Sequence, residues 1–235
     1  MFINYAHRGA SACAPENTMR SFRLGVRLGA NGIETDIRRT KDGVLVLFHD
    51  RDLFRLTGVR GTVSALSFAE LSALRVRTPG TGEGEPVPTL TEFLRFIEPL
   101  SVFLALELKD GALEAETVKA VRAFGIADRT VITSFEAAHL QNVKRSAPQM
   151  KVGLLTRTVT KEILFTLKAL GAEQICPKAD ILTPALVRSL HGEGFNVRAW
   201  GVGDEATMKR AFHCGVDGMT VNFPDRLRAL LREKE

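Results

Sequence analysis

Short apolar runs of strand length alternate along the chain with stretches of helical period, beginning with a strand at 2–6 and a helix over 18–28. A second strand, GIETDI at 32–37, leads through the polar segment RRTKDG into another apolar run, VLVLFHD, with no room for an intervening helix. Asp42-Gly43 suits a two-residue hairpin turn. Counting outward from that turn sets Lys41 opposite Val44 and Asp36 opposite His49, a register that a longer loop would shift. The alternation lapses over 51–88, where one short helix at 68–74 is expected, and the segment reads as an insertion. Beyond it, helices are expected at 90–97, 113–124, 136–146, 161–170, 184–193, 205–214 and 224–231. They alternate with strands at 102–108, 130–133, 151–155, 174–176, 196–200 and 218–221. Eight parallel strand candidates, with VLVLFHD as an extra hairpin partner, predict an α/β fold, a (β/α)8 TIM barrel built by 1–235 as one domain. The alternative, an open doubly wound sheet, lacks a glycine-rich dinucleotide turn after the first strand.

A length of 235 residues with 45% hydrophobic and 25% charged residues fits one sizeable core and excludes disordered or low-complexity classes. No apolar run reaches bilayer length, and MFINYAHRG turns polar too soon for a secretory leader, so a soluble cytoplasmic protein is expected. Cys13, Cys176 and Cys214 lack paired spacing and read as buried free thiols rather than a disulfide or zinc framework. A formal net charge of +5 mildly favours anionic partners. Lys and Arg are dispersed among acidic residues without aromatic interleaving, which argues against a nucleic-acid partner.

In a barrel of this kind the site lies at the carboxyl ends of the strands. The first strand runs into Ala6-His7-Arg8-Gly9, an imidazole titrating near neutrality beside a guanidinium suited to bidentate phosphate contact. Glu34 and Asp36, two apart on a strand, project to the same face, which in a barrel is the lumen. Neighbouring carboxylates repel unless protonated or neutralised, and a hard divalent ion with oxygen ligands, such as Mg²⁺ or Ca²⁺, resolves that repulsion. Glu107-Leu108-Lys109 repeats the spacing, and its charges inside the apolar strand FLALELK have no packing rationale. His49-Asp50 adds a second imidazole. Singly, a strand-end histidine is more often structural and an E-x-D pair more often a solvated strand end. Together they supply what phosphodiester cleavage needs: a proton acceptor, a proton donor and positive charge at the phosphoryl oxygens.

These residues stand in the segments HRG (7–9), APENT (14–18), GIETDIRRTKDGVLVLFHD (32–50), VPTLTEFL (87–94), ELK (107–109), TSF (133–135) and DGMTVNFPD (217–225). In them the chain resembles the glycerophosphodiester phosphodiesterase family from its first strand to its last. The resemblance implies a phospholipase-C-like barrel with an insertion after the HD motif that helps form the substrate entrance. It implies one divalent cation, Mg²⁺ or Ca²⁺ with Mn²⁺ as a further candidate, on Glu34, Asp36 and Glu107. His7 and His49 would supply acid and base, and Arg8 and Lys109 would hold phosphate. The implied substrates are small glycerophosphodiesters such as glycerophosphocholine and glycerophosphoethanolamine. Attack by the glycerol 2-hydroxyl would give a cyclic phosphate that water opens to glycerol 3-phosphate. Glu16 is a candidate partner for Arg8, with Asn17 or Thr18 an equal candidate as helix cap. Trp200, at a strand end, is a candidate platform for glycerol or a head group, or a core residue.

The chain departs from the family at Leu56, where threonine is usual, at Gly201 and Gly203 of the W-G-V-G segment, and at Cys176-Pro177. A related barrel phospholipase acting on intact lipid is the second enzyme reading. The chain shows no basic amphipathic helix with an aromatic rim, so stable membrane insertion is not expected. A non-catalytic metal or phosphate-binding module is a third reading, disfavoured because every expected ligand and both histidines are present. A homodimer is compatible with the sequence.

Overall fold

Alternation within each strand decides which side chains meet the helices and which enter the barrel. In the computed structural model, which describes residues 1–78 and 83–233, β1 (Ile3–His7) and β2 (Gly32–Arg39) lie parallel. β2 also carries the short antiparallel β3 (Leu45–Leu47). Six further parallel strands follow: β4 (Phe103–Leu108), β5 (Thr130–Ser134), β6 (Lys151–Thr156), β7 (Gln174–Pro177), β8 (Asn196–Val202) and β9 (Gly218–Val221). Pairing runs β1-β9-β8-β7-β6-β5-β4-β2, and the β1–β2 contact closes the ring of eight. This is the expected TIM barrel.

The outer ring consists of α1 (Met19–Arg27), α4 (Leu90–Ile97), α5 (Glu114–Ala123), α6 (Ala137–Ser146), α7 (Lys161–Leu170), α8 (Pro184–Gly192), α9 (Glu205–His213) and α10 (Pro224–Arg232). The small helices α2 (Phe54–Thr57) and α3 (Phe68–Ser72) lie in the insertion. Side-chain caps start many of the outer helices: Thr18, Thr89, Thr160, Thr183 and Asp204 each accept the backbone N–H three residues on. On β4, Leu104, Leu106 and Leu108 pack outward into the main apolar core, which leaves Glu107 facing the lumen.

The hairpin register differs from the sequence expectation. Arg38 pairs with Val46 and Ile37 with Leu47, which puts Phe48 rather than His49 opposite Asp36, and the Phe48 N–H donates to the Asp36 carbonyl. The loop has three residues, Lys41 to Gly43, with Gly43 at φ +89 and the Thr40 N–H bonded to the Val44 carbonyl. Asp42 is the cause: its carboxylate accepts from the Thr40 hydroxyl at 2.6 Å and from the Phe68 N–H at 2.9 Å. It thus anchors the insertion instead of forming a two-residue turn.

Within the insertion, whose residues 79–82 lie outside the described set, Leu53, Leu56, Val63, Leu71, Val76 and Val87 bury a small second cluster against Val46 and Phe48. Leu56 is therefore a packing residue, which accounts for its departure from threonine. Cys176 and Cys214 are buried free thiols as expected, but Cys13 is exposed, because it sits on the loop between β1 and α1.

The exit of β1 is tightly specified. Gly9 has φ +80, and a Cβ there would stand 2.4 Å from the Ser21 backbone carbon at the start of α1. Gly9→Ala should therefore lower the unfolding free energy by about 3 kcal/mol, combining left-handed strain with overpacking. A urea midpoint unchanged from wild type would contradict this.

Candidate active site

Three lumen carboxylates converge because of strand register. Asp36 and Glu107 are Cα partners across β2 and β4, and Glu34 lies two residues below Asp36 on the same face, itself level with His7 of β1. One oxygen from each of Glu34, Asp36 and Glu107 lies within 4.8 Å of the other two, and all three residues are buried. Two cations offset this charge. Lys109 Nζ contacts Glu107 and sits 3.1 Å from Asp36 Oδ1, while Arg8 Nε lies 3.1 Å from Asp36 Oδ2. Asn17 Nδ2 also donates to Asp36 Oδ2, at 2.8 Å. Asp36 Oδ1 and Arg8 Nε are nevertheless buried without an aligned hydrogen bond. A tight set of hard oxygen donors with an orphaned oxygen fits a small divalent cation.

Each histidine is fixed through Nδ1, which leaves Nε2 for chemistry. His7 Nδ1 lies 2.6 Å from Asn222 Oδ1, just past β9, with its Nε2 3.9 Å from Glu34. His49 Nδ1 lies 2.6 Å from Asp50 Oδ1, and the His49 carbonyl accepts from Arg38 Nε and Nη2 at 2.9 and 2.7 Å. Arg38 in turn donates to Asp110. Although the register sets Phe48 opposite Asp36, His49 still lines the same cavity as His7.

An ionic chain ties these parts to the insertion. Glu16 accepts from Arg8 at 2.8 Å and from both terminal nitrogens of Arg55, and Arg55 Nε donates to Asp50. Glu16 thus partners Arg8 while Thr18 caps α1, so both readings of that segment hold together. Asn17 takes neither part and bonds Asp36. The sequence reading missed Asn222, Arg55, Arg38 and Arg198.

Arg198 is buried beneath the carboxylates. Its Nε donates to Gln174, one terminal nitrogen to Thr220, and the other faces Cys176 Sγ at 3.4 Å, with the Tyr5 ring 5.1 Å away. This explains Cys176: it is part of the floor around a buried guanidinium. The cavity above, about 240 Å³, is lined on its far wall by Phe135, Leu155, Arg157, Trp200 and Gly201. Trp200 is partly exposed there, with Nε1 donating to the Thr156 carbonyl at 3.2 Å.

Residues 7–226 match the glycerophosphoryl diester phosphodiesterase family. The chain belongs to it. A glycerophosphodiester phosphodiesterase of Caldanaerobacter subterraneus subsp. tengcongensis is 32% identical, with 97% of each chain covered. One from Bacillus altitudinis is 32% identical, covering 94% of this chain and 95% of its own. Among solved structures, an Oleispira antarctica phosphodiesterase in complex with the product sn-glycerol-3-phosphate superposes with a TM-score of 0.90 at 26% identity, over 97% of this chain and 96% of that one. The glycerophosphodiester phosphodiesterase of Agrobacterium tumefaciens gives 0.87 at 26% identity, over 97% and 100%. The protein is therefore an enzyme of the phosphodiesterase class. Among the described residues, no helix is long and apolar enough to cross a membrane.

Crowding sets the protonation states of this family member. Burial, then Asp36 and Glu107, pushes the Glu34 carboxyl up to about 8. Burial and Asp36 raise Glu107 as well. Asp36 is buried too, yet Lys109 and Arg8 hold it far below the usual carboxylate range. Burial and Arg8 lower His7 to about 4, and burial also lowers His49.

The folded state thus binds more protons than the unfolded chain at Glu34 between 4.5 and about 8, so metal-free stability falls as pH rises through that range. His7 acts in the opposite sense only between about 4 and 6.5. From pH 6.5 to 8, protein in EDTA should lose about 1 to 2 kcal/mol of stability, and a divalent cation should abolish the loss by binding the ionised carboxylates. Urea unfolding at both pH values checks this, and a flat profile in EDTA would contradict a protonated Glu34.

Proposed function

We propose that the protein hydrolyses glycerophosphodiesters, glycerophosphocholine and glycerophosphoethanolamine being among the candidates, to glycerol 3-phosphate and an alcohol. The observation that carries this reading is the pairing of two imidazoles, each tethered at Nδ1 and free at Nε2, beside a three-carboxylate cluster with two cations. The product complex of the Oleispira antarctica relative supports it. In this reading 1–235 acts as one barrel unit with an insertion at 51–88, working in the cytoplasm.

Glu34, Asp36 and Glu107 would hold one divalent cation, which when bound would acidify a hydroxyl and offset charge on the phosphoryl group. Arg8 and Lys109, displaced in part from their carboxylate partners, bind the non-bridging phosphate oxygens. His7, kept neutral by burial, accepts the proton of the attacking hydroxyl at Nε2, and Asn222 fixes its tautomer. His49, with the Asp50 carboxylate on Nδ1 to stabilise its imidazolium, donates a proton to the leaving alkoxide; the two histidines then exchange roles as water adds and opens the cyclic phosphate to glycerol 3-phosphate. Arg55 and Glu16 position Asp50 and Arg8 together, so the insertion is part of the machinery rather than a spacer.

His7→Ala and His49→Ala should each lower kcat by at least about 100-fold while leaving cation affinity within a few-fold. Glu34→Ala should weaken both. Initial rates and calorimetric cation titrations check this; wild-type turnover in the double histidine variant would overturn the acid-base roles.

A further inference from the structure

Two walls of the cavity differ in character. His7, Arg8, Glu34, His49, Glu107 and Lys109 come from β1, β2, β4 and the β3 hairpin. The wall across the barrel, formed by Phe135, Leu155, Arg157, Trp200 and Gly201 at the ends of β5, β6 and β8 above the Arg198 floor, has no acidic side chain among the described residues that line the cavity. Scissile phosphate held by the first wall therefore presents one of its substituents to the second.

Phe135 and Trp200 meet edge to face, with ring centroids 5.1 Å apart at 89°. An open aromatic pair of this kind is a seat for a quaternary ammonium. Here that seat is taken: the Arg157 guanidinium lies 5.3 Å from the Phe135 centroid and 5.8 Å from that of Trp200. A choline or ethanolamine head group would meet a like charge in place of a bare π-face.

Arg157 also differs from the other cations of the cavity. Arg8 and Lys109 are paired with carboxylates, and Arg198 is spent on Gln174, Thr220 and Cys176 in the floor. No carboxylate among the described residues pairs with Arg157, which is exposed at the rim. A guanidinium stacked on rings keeps its in-plane N–H donors available, and these match a phosphate or carboxylate.

We propose that Arg157 is a head-group-binding residue and that the enzyme prefers glycerophosphodiesters whose alcohol carries a further anionic group over those bearing an ammonium. This inference rests on the phosphodiesterase reading above and deepens it.

The test compares kcat/KM for three substrates of graded head-group charge: glycerophosphoglycerol phosphate, glycerophosphoglycerol and glycerophosphocholine. Wild type should favour the phosphate-bearing substrate over the choline ester by about 10-fold or more. Arg157→Gln, at an exposed site that folding does not depend on, should lower kcat/KM for the phosphate-bearing substrate by about 10-fold through KM. It should leave the neutral substrate within about 2-fold, and Arg157→Glu should reverse the order of the charged pair. An equal loss on all three substrates would overturn the proposal by placing Arg157 on the shared glycerol phosphate. No effect on any would overturn it as well. Wild-type turnover without charge preference would defeat the head-group inference alone, whereas no wild-type turnover of any substrate would defeat the phosphodiesterase reading with it.

Discussion

Three carboxylates confined in a barrel lumen repel one another, and the surrounding architecture is organised around that repulsion. Buried ionised groups cost several kcal/mol each unless paired. Here Lys109 and Arg8 converge on Asp36, a buried Arg198 lies beneath, and Glu34 retains a proton up to about 8. A site made only for stability would be better served by apolar side chains, which fill the lumen of most barrels. Charge of this kind is intelligible as a binding site for a cation that the protein itself replaces only in part.

The barrel contributes geometry that no single loop could hold. Parallel register places Asp36 level with Glu107 and His7 level with Glu34, so four functional side chains are fixed by backbone hydrogen bonds rather than by loop packing. Loops then orient what the strands position. Closure of β9 onto β1 brings Asn222 to His7, and the insertion sends Arg55 to Glu16 and to Asp50, the neighbour that holds His49.

Much of this could be read from the sequence where the cause is local. Apolar alternation located the strands, and charged pairs inside apolar runs marked Glu34, Asp36, Glu107 and Lys109 as lumen residues. What could not be read depends on contacts between remote segments. Asp42 looked like a turn residue, but its bond to the Phe68 N–H, which moves the hairpin register by one, comes from the insertion. Asn222 stood inside a recognised segment, yet its part follows only from a pairing across 215 positions. Arg198 carried the same signal as Glu107, a charge inside the strand NVRAW, and was legible in principle. On the far wall of the cavity Trp200 was legible as a strand-end aromatic, but Phe135 and Arg157 were not, since they follow their strands in segments where loop conformation decides direction.

The most direct test of the account is release of glycerol 3-phosphate from glycerophosphoglycerol by metal-stripped protein, in EDTA and with Mg²⁺, Mn²⁺ or Ca²⁺ restored. The account predicts negligible release in EDTA and recovery with at least one of these ions, saturating as the carboxylate cluster fills. Full turnover in EDTA, or folded protein that binds a divalent cation yet releases no product, would contradict it.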